Sequence, residues 1–584
     1  MSSTPSVLRQ PVSSTSREGS YMSNRKEIVS SSPEGIESYF PGESFREGQR
    51  EAIHAIYDAF VNKSYRFVVA ELPTGVGKSL IAVTFARYFK RAHILTPQKI
   101  LQTQYEETAV FTDVVSMKGR SAYRCTRLLE TAQNELAKEM YDVNYEDLNI
   151  VAQQQKVIEE LNLREKDGTL DISCNKGPCR KNSRIKCDDC DYTKAIVTAN
   201  QSDVTVHNFD SFHFQTLFAH AFAKRPILIC DEGHNIEGKY LNFMEFQISN
   251  RKFPQFRLEK DPTIDRSIDF LKTVYEDLKV TSAQLTIQKD EEGLSEQEVR
   301  VLDDANSLLQ RIGLFFTRLQ QGMEYVVDYV EDRDSQAYKF RPINVGAYVN
   351  ETLFTYGDKV LILSATIVDK NFFCKNVGLD PKDVAFVQVD SSFPPENRPI
   401  FKRYAGSMAY ADIAATLPKL MSKIEFIMSK FPKSRGIIQT HTERIANTIK
   451  TTIHNPRLTF RKDYRTVEEM LAVHLSKPGS VIVTSGLREG LDLRDDQSRF
   501  QIICKVPYLD LSDKRTNRKK EKDPNWYGIS TVLMWIQMIG RSIRSKDDKA
   551  ATYLLDSCFE SFLTRNRRYI PKYIRNAIHE ENIQ

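Results

Sequence analysis

Residues 71–79, ELPTGVGKS, sit between the apolar run YRFVVAEL (65–72) and SLIAVTFARYFK (79–90), whose apolar positions recur at helical spacing. Strand, glycine loop and helix in that order predict a phosphate cradle. Backbone N–H groups at the helix start, among them those of Gly75 and Gly77, would face the phosphates. Lys78 would neutralise the outer two, and Ser79 would ligate magnesium. Leu72 stands where the strict pattern has its first glycine. The chain must therefore contain at least one parallel α/β sheet built to hold a nucleotide.

Further apolar runs ending in polar residues support that sheet: AHILTP (92–97), PILICDEGH (226–234) and KVLILSAT (359–366). A second set follows at GIIQTHT (436–442), SVIVTSG (480–486), FQIICKVPY (500–508) and ATYLLD (551–556). With 584 residues there is material for two to four domains, and two tandem α/β domains are the economical reading. The expected division is motor domain 1 over 33–117, 203–239 and 356–397, and motor domain 2 over 398–584. A cysteine-rich insertion (118–202) and a helical, arch-like insertion (240–355) interrupt the first. Helical spacing in the second insertion runs through SIDFLKTVYEDLKV and DDANSLLQRIGLFFTRLQQGMEYVVDYV. Residues 1–32, rich in Ser and Thr, read as a disordered tail without a secretion signal.

Asp231 and Glu232 in DEGH close an apolar strand, where the first would hold magnesium through water and the second would polarise the attacking water. In QMIGRSIR, Gln537, Arg541 and Arg544 fall on a predicted helix of the second set, and arginines supplied there can stabilise charge on a transferred phosphoryl group. A solvated basic helix end is the plain alternative.

Nine cysteines are unevenly spread. Cys230, Cys374, Cys504 and Cys558 lie mostly beside apolar runs, as core residues do, whereas Cys125, Cys174, Cys179, Cys187 and Cys190 share one stretch. Without a secretion signal, that group points to a metal or iron-sulfur site rather than disulfides. Lys and Arg total 82 against 77 acidic residues, so nucleic acid contact must come from local patches. CRKNSRIKC (179–187) carries Arg180, Lys181, Arg184 and Lys186. KRTNRKKEK (514–522) precedes Trp526 and Tyr527, a pairing that suits a single strand, with solvated loops equally open for the second patch.

The order REGQ (46–49), ELPTGVGKS, TPQKILQTQ (96–104), KGRSAYRC (118–125), DEGH, LSAT (363–366), GIIQTHT, GLREGLDL (486–493) and QMIGRSIR resembles the XPD/DinG helicases of superfamily 2, from about residue 40 onward. The resemblance implies two tandem RecA-like P-loop domains, ATP and Mg2+ as cofactors, and 5'-3' movement on single-stranded DNA with unwinding of forked duplexes. It places Gln49 on adenine, Ser364 and Thr366 in coupling hydrolysis to DNA movement, and Glu489, Gly490 and Asp492 between the two sites. It also implies a [4Fe-4S] cluster on Cys125, Cys174, Cys179 and Cys190, with Cys187 surplus. Structural zinc on Cys174, Cys179, Cys187 and Cys190 is the rival, as an all-thiolate tetrahedral site. A translocase that remodels complexes without separating strands, and a nucleic-acid scaffold with a dead ATPase, are the competing functions. The intact Lys78, Asp231 and Glu232 speak against the scaffold. A monomer is expected, away from membranes and in a cytoplasm, that of the host if the source is viral.

Overall fold

The computed structural model describes residues 34–580, apart from 183, 186, 188, 252–257, 261, 333–334, 392, 487–492 and 544–545. The expected tail at 1–32, Lys186, Glu489, Gly490, Asp492 and Arg544 thus lie outside the described residues.

Two seven-stranded sheets, parallel throughout, make up the α/β part. Across the first the order is Val384–Gln388, Phe67–Glu71, Gly357–Ser364, Arg225–Cys230, Ala92–Thr96, Val204–Asn208 and Val114–Met117. Strands buried on both faces need continuous apolar sequence, and Phe67–Glu71 and Ala92–Thr96 are buried at every position. Alternate side chains serve different cores. Phe67 and Val69 join one apolar cluster, and Val68 and Ala70 join the other. The second sheet runs Leu458–Phe460, Val481–Thr484, Gly436–Gln439, Phe500–Ile503, Ala551–Asp556, Ile400–Gly406 and Ile578–His579.

Parallel pairing aligns the carboxyl ends of the strands, where ligands of open α/β sheets bind. Glu71 is in register with Ser364, and Cys230 with Ile362. ELPTG, LSAT and DEGH therefore leave three adjacent strands side by side.

The long interruptions have their own architecture. Helices Thr126–Tyr141 and Val151–Asp167 pack on each other through Leu136, Val157 and Leu161, and Asp191–Gln201 returns to the sheet. Between Met244 and Gly346 the helices Ile264–Glu291 and Glu296–Gln320 form an antiparallel pair beside a three-stranded antiparallel sheet. The expectation of helix through YVVDYV is corrected here. The second helix stops at Gln320, Gly322 turns the chain at φ 84°, and Tyr325–Asp332 is a strand paired with Ser335–Pro342. Its β-branched and aromatic residues suit a pleated surface better than a helix. Leu308, Ile312 and Phe315 meet Phe340 in the apolar cluster that also covers one face of the first sheet, so this insertion shares a core with the motor.

Described residues of both basic patches pair with acidic partners. Arg180 pairs with Asp303 at 2.5 Å and Lys181 with Glu296 at 3.2 Å, joining the cysteine-bearing segment to the long helices. KRTNRKKEK forms the helix Lys514–Lys522. Lys519 is buried against Glu237, Arg515 reaches Glu245 at 3.5 Å, Lys522 meets Glu324, and Lys514 Nζ donates to the Val327 carbonyl at 3.1 Å. Lys519 also covers Trp526, and Lys520 covers Tyr527. This patch, expected on DNA or in a solvated loop, forms a helix rather than a loop and fastens the second α/β unit to the first unit and its insertion.

Candidate nucleotide cleft and cysteine cavity

The helix Lys78–Tyr88 starts directly after Gly77, with no side chain capping its first turn, which leaves its N–H groups available to an anion. Gly77 has φ 84°, and a Cβ there would meet Gln49 Nε2 at 2.4 Å. Gln49 is fully buried, donates to the Gly77 carbonyl at 3.2 Å and accepts from the Arg46 N–H at 3.0 Å, while Arg46 donates to the Gly75 carbonyl at 3.0 Å. REGQ thus braces the phosphate loop from outside.

Lys78 Nζ stands 3.2 Å from Glu232 Oε1. Glu232 itself has φ 49°, a left-handed conformation that costs a non-glycine residue ~1–3 kcal/mol and is found where function demands it. The next residue must be glycine, because a Cβ on Gly233 would lie 2.2 Å from Ile362. Asp231 is buried. Its Oδ1 accepts from the Glu232 N–H at 2.9 Å and its Oδ2 from the Tyr105 hydroxyl at 3.2 Å. Burial, with the Glu232 charge adding to it and Lys78 opposing it, pushes the Asp231 carboxyl up to about 6. Two adjacent carboxyls in so dry a place, with the Ser79 hydroxyl near them through Tyr105, make a donor set suited to a hard divalent cation.

A cavity of about 310 Å³ lies between the sheets. Thr74, Glu232, His234 and Thr366 line it from the first unit, and Arg398, Gln537 and Arg541 from the second. Gln537 belongs to the helix Pro524–Ile539, whereas Arg541 follows two residues after its end rather than within it, because the helix stops before Gly540. Reasoning from sequence missed three residues. His234 hydrogen-bonds Ser364 Oγ at 2.8 Å, joining DEGH to LSAT. Arg398 lies over the Tyr573 ring at 4.5 Å on the cavity wall. Tyr105 sits on the helix Lys99–Glu107, whose buried Gln102 and Tyr105, three positions apart, were a legible sign of a polar face turned inward.

The five clustered cysteines line one cavity of about 250 Å³. Cys125, Cys174 and Cys190 are buried, and Cys179 and Cys187 are half-buried. Cys174 and Cys190 sulfurs are 3.8 Å apart, and burial pushes the Cys174 thiol up to about 12. A Cβ on Gly177 would meet Cys125 Sγ at 3.2 Å and Cys179 Sγ at 3.6 Å, so a side chain there would crowd the turn that brings these sulfurs together. Among the described residues no group of three or more His, Cys, Asp or Glu side chains is closed tightly enough to hold a metal ion. Cys230, Cys374 and Cys504 are buried in the cores. Among the described residues, no helix is long and apolar enough to cross a membrane.

Comparison with known proteins places these features. Residues 43–259 match the family model described as type III restriction enzyme, res subunit, and residues 417–577 match the helicase C-terminal domain. A probable ATP-dependent helicase of Methanocaldococcus jannaschii is 22% identical, over 91% of this chain and 94% of that protein. A regulator of telomere elongation helicase 1 homolog of Caenorhabditis elegans is 27% identical over 20% of this chain and 14% of its own length. Among solved structures, an XPD helicase superposes with TM-score 0.58 at 16% identity, covering 92% of this chain and all of that one. S. tokodaii Xpd4 gives 0.55 at 13% identity, with the same coverage. Tandem parallel sheets, a helicase C-terminal domain in the second unit and a likeness to an ATP-dependent helicase along nine-tenths of the chain give this protein the make-up of a helicase with the fold of the XPD structures.

Proposed function

We propose that the chain hydrolyses ATP between its two α/β units and uses the cycle to move 5'-3' along single-stranded DNA, opening forked duplexes as a monomer in a cytoplasm. The observation that carries this reading is the shared cavity, in which Thr74 and Glu232 of one unit meet Gln537 and Arg541 of the other. Lys78, now paired with Glu232, would turn to the outer phosphates when ATP enters, freeing Glu232 to polarise water. Gln49, which braces the loop through the Gly77 carbonyl, would contact adenine. Ser79 and Asp231 would hold magnesium, which supplies charge neutralisation at the phosphates. Arg541, with Arg544 as its second candidate, would stabilise charge developing on the transferred group. Opening and closing of the cavity would alternate the grip on the strand.

The test is a forked-duplex unwinding assay with ATP turnover measured in parallel. Parent protein should separate the strands. Glu232→Gln should abolish DNA-stimulated hydrolysis, and Arg541→Ala should lower turnover by ~10³-fold with a smaller effect on ATP affinity. Turnover without strand separation would make the protein a remodelling translocase, and full turnover by Glu232→Gln would overturn the site.

The cysteine cavity is proposed to hold a [4Fe-4S] cluster on Cys125, Cys174, Cys179 and Cys190. Support comes from Cys125, which lines the cavity with the others and which a zinc site on the remaining four would not need. Such a cluster would stiffen this segment as a wedge at the fork. One distance favours the zinc reading. Thiolates on a single tetrahedral zinc stand about 3.8 Å apart, given a Zn–S length of about 2.3 Å, and Cys174 and Cys190 are spaced at 3.8 Å.

A further inference from the structure

Tyr105 is part of neither the phosphate loop nor DEGH, yet it touches both. Its side chain is 2% exposed and stacks on Phe111 with ring centroids 5.6 Å apart. Its hydroxyl donates to Asp231 Oδ2 at 3.2 Å and lies near the Ser79 hydroxyl. Ser79 follows the strand Phe67–Glu71, and Asp231 follows Arg225–Cys230. These strands are not neighbours, because Gly357–Ser364 lies between them. No ladder hydrogen bond therefore sets the separation of Ser79 from Asp231, and the phenol spans it. Packing alone does not call for that hydroxyl, since phenylalanine would fill the same space and keep the stack on Phe111. Asp231 gains a fixed rotamer from this arrangement, with one oxygen held by the Glu232 N–H and the other by Tyr105.

We propose that Tyr105 is a positioning residue for the divalent cation: its hydroxyl sets the side chains of Ser79 and Asp231 so that both can face one ion beside the nucleotide phosphates. The inference rests on the nucleotide reading above and adds a residue to it. A group that preorganises a ligand pair acts on cation affinity and should leave the binding of ADP to the phosphate loop in EDTA unchanged.

The experiment measures Mn2+ binding to the full chain with saturating ADP, by the resonance signal of free Mn2+, and ADP binding in EDTA. Tyr105→Phe should weaken Mn2+ binding about tenfold or more, keep ADP affinity in EDTA within about twofold and keep the thermal midpoint in EDTA. A purely structural role would predict the same loss in any background. Here, Tyr105→Phe placed on Asp231→Asn should instead cost less than about twofold more, because the partner it holds has already lost its charge. Parent-like Mn2+ affinity in Tyr105→Phe, an equal loss in both backgrounds, or a thermal midpoint that falls along with affinity would each overturn the proposal. Failure of the parent itself to bind Mn2+ with ADP would instead remove the nucleotide reading and the proposal with it.

Discussion

His234 and Ser364 meet at 2.8 Å, Nδ1 to Oγ, across two adjacent strands of the first sheet. Ser364 Oγ also accepts from the Thr366 N–H at 3.1 Å, and His234 lies 3.4 Å from Glu232 Oε2. The carboxylate expected to polarise water is thereby linked to the segment expected to couple hydrolysis to DNA movement. Ser364→Ala should keep basal hydrolysis within about twofold and lower both its stimulation by single-stranded DNA and unwinding by about tenfold, the worth of one well-made hydrogen bond. Equal loss of basal and stimulated turnover would place Ser364 in the chemical step and remove the coupling role.

Arg341 is 10% exposed and bridges Asp328 of its own small sheet to Asp513 at 2.5 Å each. Asp513 caps the helix Lys514–Lys522 by accepting from the Thr516 N–H at 2.7 Å. Removing the guanidinium leaves two half-buried carboxylates facing each other, which costs about 3 kcal/mol. Arg341→Met should lower the urea midpoint accordingly and let the second α/β unit unfold before the first. A single transition with parent stability would show that the fastening contributes little.

Four histidines sit neutral in the cores. Burial, with Arg225 nearby, lowers His93 to about 3; burial also lowers His213 to about 3, and it holds His207 well below the ordinary value and His474 below it. An unfolded chain takes up these protons near pH 6.5, so the folded state loses stability as pH falls from about 6.5 toward 3 and is unaffected above that window. His93 and His213 alone predict about 1.4 kcal/mol each per pH unit. Unfolding free energies at pH 7.5 and 5.5, both above most carboxyl titrations, should differ by 2 kcal/mol or more on that rate. A flat profile between them would mean these rings are protonated in the fold.

Metal analysis of anaerobically prepared protein decides the cysteine cavity. A cluster predicts about four irons with matching sulfide per chain, lost in Cys125→Ser and kept in Cys187→Ser. One zinc, with Cys125→Ser like the parent, would establish the zinc site. Loss on Cys187→Ser alone would exchange that residue for one of the chosen four.

Much of the site could be read before any coordinates, because it lives in short stretches whose chemistry is local. Gly75, Gly77, Lys78 and Ser79 announce a phosphate loop through spacing alone, and the strand ending in Asp231 and Glu232 does so through burial followed by charge. What stayed hidden depends on partners far away in the chain. Lys519 reads as a free cation until Glu237, 282 positions earlier, is placed against it. Tyr105 reads as one more helical aromatic until Asp231 meets its hydroxyl. YVVDYV continues the helical spacing that precedes it, and only its pairing with Ser335–Pro342 makes it a strand.

The sheet order has a consequence for biosynthesis. The strand that carries the phosphate loop, Phe67–Glu71, is completed on one side only by Gly357–Ser364 and on the other by Val384–Gln388. A ribosome adding about 5–20 residues per second needs roughly 16–60 s to travel from the first of these strands to the last. Until Gly357–Ser364 is made this buried five-residue strand waits with both edges unpaired, and until Val384–Gln388 with one, the condition that invites wrong partners. The nascent protein should therefore lean on chaperones until residue 388 leaves the exit tunnel, and a fragment ending before Gly357 should aggregate rather than fold.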